Sequence, residues 1–459
     1  MTTPAPEFES RDRVLALVRR HGWNATSFQV LEPDFHYHFV DDDACVGYVD
    51  TGRAWVAAGA PLADEARFGE VAAAFATAAR ASNRRVSFFA TEERFASVSP
   101  FRSLLIGEQA MWDPAGWDGA LRDSPSLREQ LRRARAKNIR IRALDPRQAA
   151  MSVGPIANLI DHWLRRRELA PLGFLARVEP LALLADQRLF LAERGDTLVG
   201  LLSVAPICER RGWLLQNLLR SPDAPNGTAE ALIDHAMRRA VEEGVTLVTL
   251  GLAPLAGEVQ APLRLARAVG APFYNFEGLR SFKAKLQPAR WDRIFLSFPH
   301  ETAPMRAVLD VLTAFARGGL LRFGLRTLLR GPAVVVGLLA LLLIPWTLLL
   351  ATVDPHRWFP HPAVKWAWVV FDAALAIGLF ALRARWRDRL ARLLTFAIGA
   401  DAILTAMEAC WWNASRAQSL SAKAILAVGV AAPALAYLVV SRATVRRSGD
   451  TFRTTPSRK

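Results

Sequence analysis

Cysteine is scarce in this chain, with three residues in 459 (Cys45, Cys208 and Cys410) and no Cys-x-x-Cys pair or Cys/His cluster. That argues against a disulfide framework or a thiolate zinc site, and it fits a reducing compartment. The histidines, among them His36, His38, His162 and His235, show no Ser/His/Asp spacing of a hydrolase triad. The opening residues MTTPAPEFESRDR lack an apolar run, so no secretory signal is expected and the first domain is expected in the cytoplasm. Acidic residues are short in one part only. Residues 301–459 hold 20 Lys+Arg against 8 Asp+Glu, whereas residues 1–300 hold 38 against 35. Most of the net charge of +15 therefore lies between apolar runs, which is a membrane-topology signal before it is a nucleic-acid signal.

Four apolar runs follow residue 330, at Pro332–Val353, Ala363–Leu382, Leu393–Trp412 and Ala422–Ser441. Each is near the ~20 residues a helix needs to cross a bilayer. Arg317, Arg322, Arg326 and Arg330 precede the first, Arg383, Arg385, Arg387, Arg389 and Arg392 separate the second from the third, and six basic residues follow the fourth. The positive-inside rule then predicts a multi-pass inner (plasma) membrane protein with both termini cytoplasmic. Asp372, Asp401 and Glu408 fall inside these runs. A carboxylate there costs roughly 2.5–3.5 kcal/mol on insertion scales, so they mark either a polar path or helix-packing contacts, with Lys423 a partner for Glu408.

Residues 1–300 alternate strand and helix patterns. Strands are expected at 44–50, 53–59, 85–90, 103–112 and 139–144, with helices at 11–20, 65–82 and 126–138. The theme returns with strands at 188–194, 197–205, 212–219, 246–253 and 291–298, and helices at 155–168, 228–243 and 261–269. Antiparallel strands, a loop opening a helix, then another strand is the order of acetyltransferase-like folds. Seen twice, it predicts an α/β (α+β) pair of GNAT-like acyltransferase lobes followed by a four-helix transmembrane region. The expected divisions are 1–145 for the first lobe, 146–300 for the second lobe with the catalytic site, 301–331 for a basic juxtamembrane linker, 332–441 for the four helices and 442–459 for a basic cytoplasmic tail.

Several motifs carry chemistry. Arg280, Lys283 and Lys285 place three positive charges within six residues, and 280 and 283 share a helix face. Asp223, Asn226, Gly227 and Thr228 sit where a loop meets a helix, a place for an anion or simply for a turn and a cap. The loop lacks the Arg-x-x-Gly-x-Gly pattern that cradles coenzyme A in ordinary acetyltransferases. The stretch 126–142 carries Arg128, Arg132, Arg133, Arg135, Lys137, Arg140 and Arg142 against Glu129 alone. Such a cluster can grip tRNA phosphates by releasing counterions or rest on anionic lipid at ~1 kcal/mol per basic residue.

The segments ACVGYVDTGRAWVAAGAPLAD, SLREQLRRARAKNIRI, RSPDAPNGTAEALI, TLGLAPLAG and YNFEGLRSFKAKLQPARWDRIFL together resemble the cytoplasmic synthase domain of the phosphatidylglycerol lysyltransferase family, over about residues 20–298. The resemblance implies a tandem acetyltransferase-like fold and transfer of an amino acid, commonly lysine or alanine, from aminoacyl-tRNA to phosphatidylglycerol, an anionic phospholipid. An ester donor is already activated, so no metal and no cofactor is expected. Expected catalytic residues are Arg220, Glu277, Arg280, Lys283 and Lys285. Expected substrate-binding residues are Asn217, Asp223, Asn226, Gly227, Thr228 and Asn275, with Arg128, Arg132, Arg133, Arg135 and Lys137 as a tRNA or lipid surface. Glu277 is read as holding the donor's amino group, taking a proton, or pairing with Arg280. The sequence departs from the family in having Asn217 where an acid commonly stands three residues before the arginine, and in having four spans after the domain rather than a large membrane region before it. An acyl-CoA-dependent N-acyltransferase and a degenerate membrane scaffold are the competing readings.

Overall fold

The computed structural model describes residues 7–144, 149–167, 169–182, 186–254, 276–316, 318–330, 332–354, 358–384, 387–416 and 419–453. The chain divides into two compact units, Met1–Arg166 with Pro171–Phe323, and Arg167–Ala170 with Gly324–Lys459.

The first unit is built on one mixed sheet. Its first half contains β1 (His36–Phe39), β2 (Cys45–Asp50), β3 (Ala54–Ala58), β4 (Arg85–Thr91) and β5 (Arg102–Trp112). Its second contains β6 (Ile139–Ala143), β7 (Arg188–Arg194), β8 (Thr197–Ile207), β9 (Gly212–Arg220), β10 (Leu247–Pro254) and β11 (Arg290–Phe298). These strands lie where the sequence pattern places them; β1 is an addition. Each half has one parallel pair, β3 with β4 and β9 with β10. Parallel neighbours need a crossover, and α2 (Phe68–Ala81) and α7 (Thr228–Glu242) supply it. Phe68, Val71, Ala72, Phe75 and Ala79 form the buried stripe of α2, at the spacing of one helix face.

The sheet order is β1-β2-β3-β4-β11-β5-β10-β9-β8-β7-β6. The halves exchange their last strands: β11 inserts between β4 and β5, and β5 lies between β11 and β10. Every edge at the junction is thereby paired, and the lobes share one sheet.

The helices of this unit are α1 (Glu7–His21), α2, α3 (Glu93–Ala96), α4 (Trp117–Asp123), α5 (Pro125–Ala136), α6 (Ala149–Arg166), α7, α8 (Phe276–Lys285) and α9 (Pro304–Phe315). The helix expected from residue 155 begins at Ala149 and carries Pro155 inside it. The helix expected at 261–269 lies outside the described residues. The segment 301–331 holds two helices, α9 and α10 (Leu320–Arg330). Asp310 of α9 is buried and receives both Nε and Nη2 of Arg85, at 2.8 and 2.6 Å, which ties α9 to the start of β4. The acidic turn 41–43 is an ion-pair hub: Asp41 meets Arg67, Asp42 meets Arg13, and Asp43 meets Arg20 and His21.

The second unit consists of α11 (Pro332–Thr352), α12 (Pro362–Ala384), α13 (Asp388–Glu408) and α14 (Leu420–Arg453). Two helical segments, Pro362–Arg383 and Asp388–Asn413, are long and apolar enough to cross a membrane. The other two runs expected to span are shorter among the described residues, Leu339–Thr352 and Leu426–Ser441, the latter starting beyond Lys423. Asp372 and Asp401 are buried, and Asp401 accepts from Thr405 Oγ1 at 3.0 Å. Glu408 accepts from the Trp368 indole at 3.2 Å rather than pairing with Lys423, which is exposed.

Candidate functional site

The parallel pair of the second lobe comes apart. Leu247, Val248 and Thr249 pair with Gly212, Trp213 and Leu214, and there the ladder ends. Just past the last pair both strands bulge. Gln216 is the extra residue of β9 against β8, and Leu250–Gly251 breaks the register of β10 against β5. Bulges bend a strand and sharpen its twist, and beyond Thr249 and Leu214 the two strands no longer pair. Gly251 takes φ +68, the left-handed region that suits glycine at such a bend.

Lys283 of α8 fixes the β10 lip. It is 2% exposed, and its Nζ donates to the carbonyls of Leu250, Gly251 and Leu252 at 2.8, 2.6 and 3.0 Å. Burial pulls its pKa down to about 7, while three carbonyl acceptors match the three N–H donors of the charged form. With all three donors committed, Lys283 shapes the lip and has none left for a substrate. Arg280, one turn earlier, donates to Glu108 Oε2 of β5 from Nε and Nη2, at 3.3 and 3.2 Å, and stacks 4.9 Å above the Trp291 ring. Arg280 thus pairs with Glu108 rather than with Glu277, which was one of the three readings of that acid. Glu277 and Lys285 are exposed on α8, and Asn275 lies outside the described residues.

The β9 lip carries Asn217, buried, with its backbone N–H on Ser203 Oγ at 3.2 Å, and Arg220, exposed at the strand end. Arg220 has no ion-pair partner among the described residues. Asp223 and Asn226 are exposed in the loop beyond, and the Asp223 N–H donates to Ser221 Oγ. Thr228 Oγ1 donates back to Pro225 O at 2.7 Å, so Gly227, not Thr228 or Asn226, is the N-cap of α7. Gly227 has φ +92 and presses on the Gln130 carbonyl of α5, so the loop abuts the basic helix.

That helix sorts its charges. Arg128 donates to the carbonyls of Leu121 and Arg122 and so caps α4. Arg132 and Arg133 are exposed but share Glu129, and Arg142 pairs with Glu193. Arg135, Lys137 and Arg140 are exposed without an ion-pair partner among the described residues. Leu127, Leu131 and Ala134 form the buried stripe that turns these cations outward.

A carboxyl that the sequence did not flag reaches the β9 lip from the first lobe. Glu32 follows a short 3-10 turn, Ser27–Leu31, and its Oε1 accepts from Gln216 Nε2 at 2.5 Å. Gln187 Nε2 donates in turn to Gln216 Oε1 at 3.3 Å. Burial raises the Glu32 pKa to about 7, against lowering contributions from Gln216, Arg177 and Gln29. The proton is therefore held more tightly in the folded chain than in the unfolded one. The associated stability is full below about pH 4.5 and is lost as pH rises through about 7. Replacing Glu32 by Gln should leave unfolding nearly unchanged at pH 4.5 and stabilise the protein by about 3 kcal/mol at pH 8, as denaturation at the two pH values would show.

The sheet with its exchanged strands is one mixed α/β sheet built from two halves, each with a parallel pair bridged by a helix. The chain belongs to the phosphatidylglycerol lysyltransferase family, in its C-terminal part: the family model "Phosphatidylglycerol lysyltransferase, C-terminal" matches residues 15–297. A phosphatidylglycerol lysyltransferase of Bacillus subtilis (strain 168) is 26% identical over 312 residues, 65% of this chain and 36% of that protein. The lysylphosphatidylglycerol biosynthesis bifunctional protein LysX of Nocardia farcinica is 28% identical over 250 residues, 51% of this chain and 21% of that protein. The chain thus matches about a third of the first relative's length and about a fifth of the second's. Two solved structures share the fold. The C-terminal DUF2156 domain from Agrobacterium fabrum has TM-score 0.58 and 24% identity, covering 67% of this chain and 96% of that one. L-PGS from Bacillus licheniformis has TM-score 0.56 and 21% identity, covering 66% and 96%.

Proposed function

We propose that this chain transfers an aminoacyl group from aminoacyl-tRNA to the head group of phosphatidylglycerol at the inner leaflet. In this reading the four apolar helices hold it in the membrane with both termini cytoplasmic. What supports this reading is the parting of β9 from β10 beyond Thr249, with Arg220 exposed at the end of one strand and the Lys283-held bulge on the other. The lipid hydroxyl adds to the ester carbonyl, the tetrahedral adduct collapses, and the terminal ribose hydroxyl of the tRNA leaves with the proton. Arg220, without an ion-pair partner among the described residues, suits the developing oxyanion and the lipid phosphate. Glu277 and Lys285 stand exposed on α8 for proton transfer and phosphate contact. Arg135, Lys137 and Arg140 suit the tRNA backbone, which needs clustered cations rather than a shaped pocket.

The test is transfer of a labelled amino acid from charged tRNA into extractable lipid, with purified full-length protein and phosphatidylglycerol vesicles. Product should form and should vanish with ribonuclease; product insensitive to ribonuclease would refute the tRNA donor. Neutralising Arg135, Lys137 and Arg140 together should raise the KM for tRNA about tenfold at 0.1 M salt, leave kcat nearly unchanged, and flatten the salt dependence by about three phosphate contacts.

A further inference from the structure

We infer that Glu32 is the acceptor for the donor's α-ammonium group, reaching from the first lobe to the β9 lip of the cleft. The inference rests on the transfer reaction proposed above, in which the donor carries an ammonium and the acceptor lipid offers a hydroxyl. An ammonium needs hydrogen-bond acceptors, preferably with negative charge. Neither lip strand supplies a carboxylate: β9 reads GWLLQNLLR and β10 reads LVTLGLAP. Glu32 supplies one from outside both strands, and it is fastened to Gln216, two residues past the last β9–β10 pair.

The wiring of this network points to a missing donor. Gln187 gives its N–H to Gln216, and Gln216 gives its own to Glu32. That leaves two acceptors, Glu32 Oε2 and Gln187 Oε1, both buried and both without a hydrogen-bond partner among the described residues. Buried acceptors of this kind are normally satisfied, and an ammonium brings three N–H donors, of which one would complete Glu32 Oε2. The nearby cation does not fill the role. Arg177 is 7% exposed: its Nη1 and Nη2 go to the Pro33 carbonyl and Asp34, and its Nε lies 3.1 Å from Glu179 Oε1 but, among the described residues, donates no hydrogen bond to Glu32 or to any other acceptor. Burial lifts the Glu32 carboxyl toward neutrality, and an arriving cation would restore its charge. Gln29, whose Nε2 holds the Leu175 carbonyl at 3.0 Å, fixes the turn that presents Glu32.

Binding tests this without requiring turnover. The probes are 3′-aminoacylamino-3′-deoxyadenosine, a stable mimic of the donor terminus, and the same compound with an α-hydroxyl in place of the α-amino group. Calorimetric titration of full-length protein in detergent should give at least tenfold tighter binding of the amino compound. Glu32→Gln should weaken the amino compound at least tenfold and leave the hydroxy compound within twofold, with Glu32→Asp intermediate. Equal weakening of both compounds would make Glu32 a structural residue and overturn the inference, as would an undiminished preference. A fold control is the melting point of Glu32→Gln at pH 8, which should not fall. Failure of the transfer assay would strike the proposed reaction, whereas this titration reads the ammonium site alone.

Discussion

Replacing Lys283 by methionine should lower transfer at least about 100-fold and destabilise the first unit by about 3 kcal/mol or more. Methionine matches the length of most of the side chain and keeps its packing, so the loss isolates the ammonium. Three carbonyls, of Leu250, Gly251 and Leu252, lose their donor together. Each buried carbonyl left without a partner costs about 1–3 kcal/mol, and the strand that carries them recovers its bonds most easily by closing toward β9. Closure would remove the cleft, so activity should fall further than stability alone explains. The measurement is initial rate beside thermal unfolding in detergent. A folded Lys283→Met protein with transfer within threefold of the parent would show that the bulge needs no clamp.

Gly227→Ala should cost about 3 kcal/mol or more, although it adds one methyl group. Its backbone sits at φ +92, and the new Cβ would fall 2.0 Å from the Gln130 carbonyl oxygen of α5. Neither backbone can give way cheaply, because α5 is pinned by Leu127, Leu131 and Ala134. Gly52→Ala is the internal comparison: φ is +80 there, but nothing lies within 4 Å of the added Cβ. That variant should lose only about 1 kcal/mol, the cost of the left-handed conformation. Equal losses at both positions, by thermal or chemical unfolding, would mean that the helix contact adds nothing.

Much of the fold was legible because it is local. Period-two runs such as RVSFFA and the apolar stripe of 68–79 announce strands and helices without reference to distant residues. The exchange of β5 and β11 was not legible, since strand partners are chosen by tertiary packing and either strand could have closed its own lobe. Composition could not separate the jobs of the basic residues. Arg128 and Arg133 look alike in sequence, yet one caps α4 and the other shares Glu129. Lys283 was visible as a conspicuous charge, but not that its three donors would be taken by a bulge more than 30 residues earlier. Glu32 gave no signal, because its surroundings are made by Gln216, 184 residues away. The second unit shows the converse case: apolar runs were plain, while the partner of Glu408 depended on which helix face met Trp368.

The proposed reaction takes place where β9 and β10 separate. The most direct measurement is a structure of the full-length protein with the stable aminoacyl-adenosine mimic bound. The aminoacyl carbonyl is expected between Gly251 and the strand that ends at Arg220, with its ammonium toward Glu32. The mimic seated elsewhere, with β9 and β10 paired beyond Thr249, would contradict it.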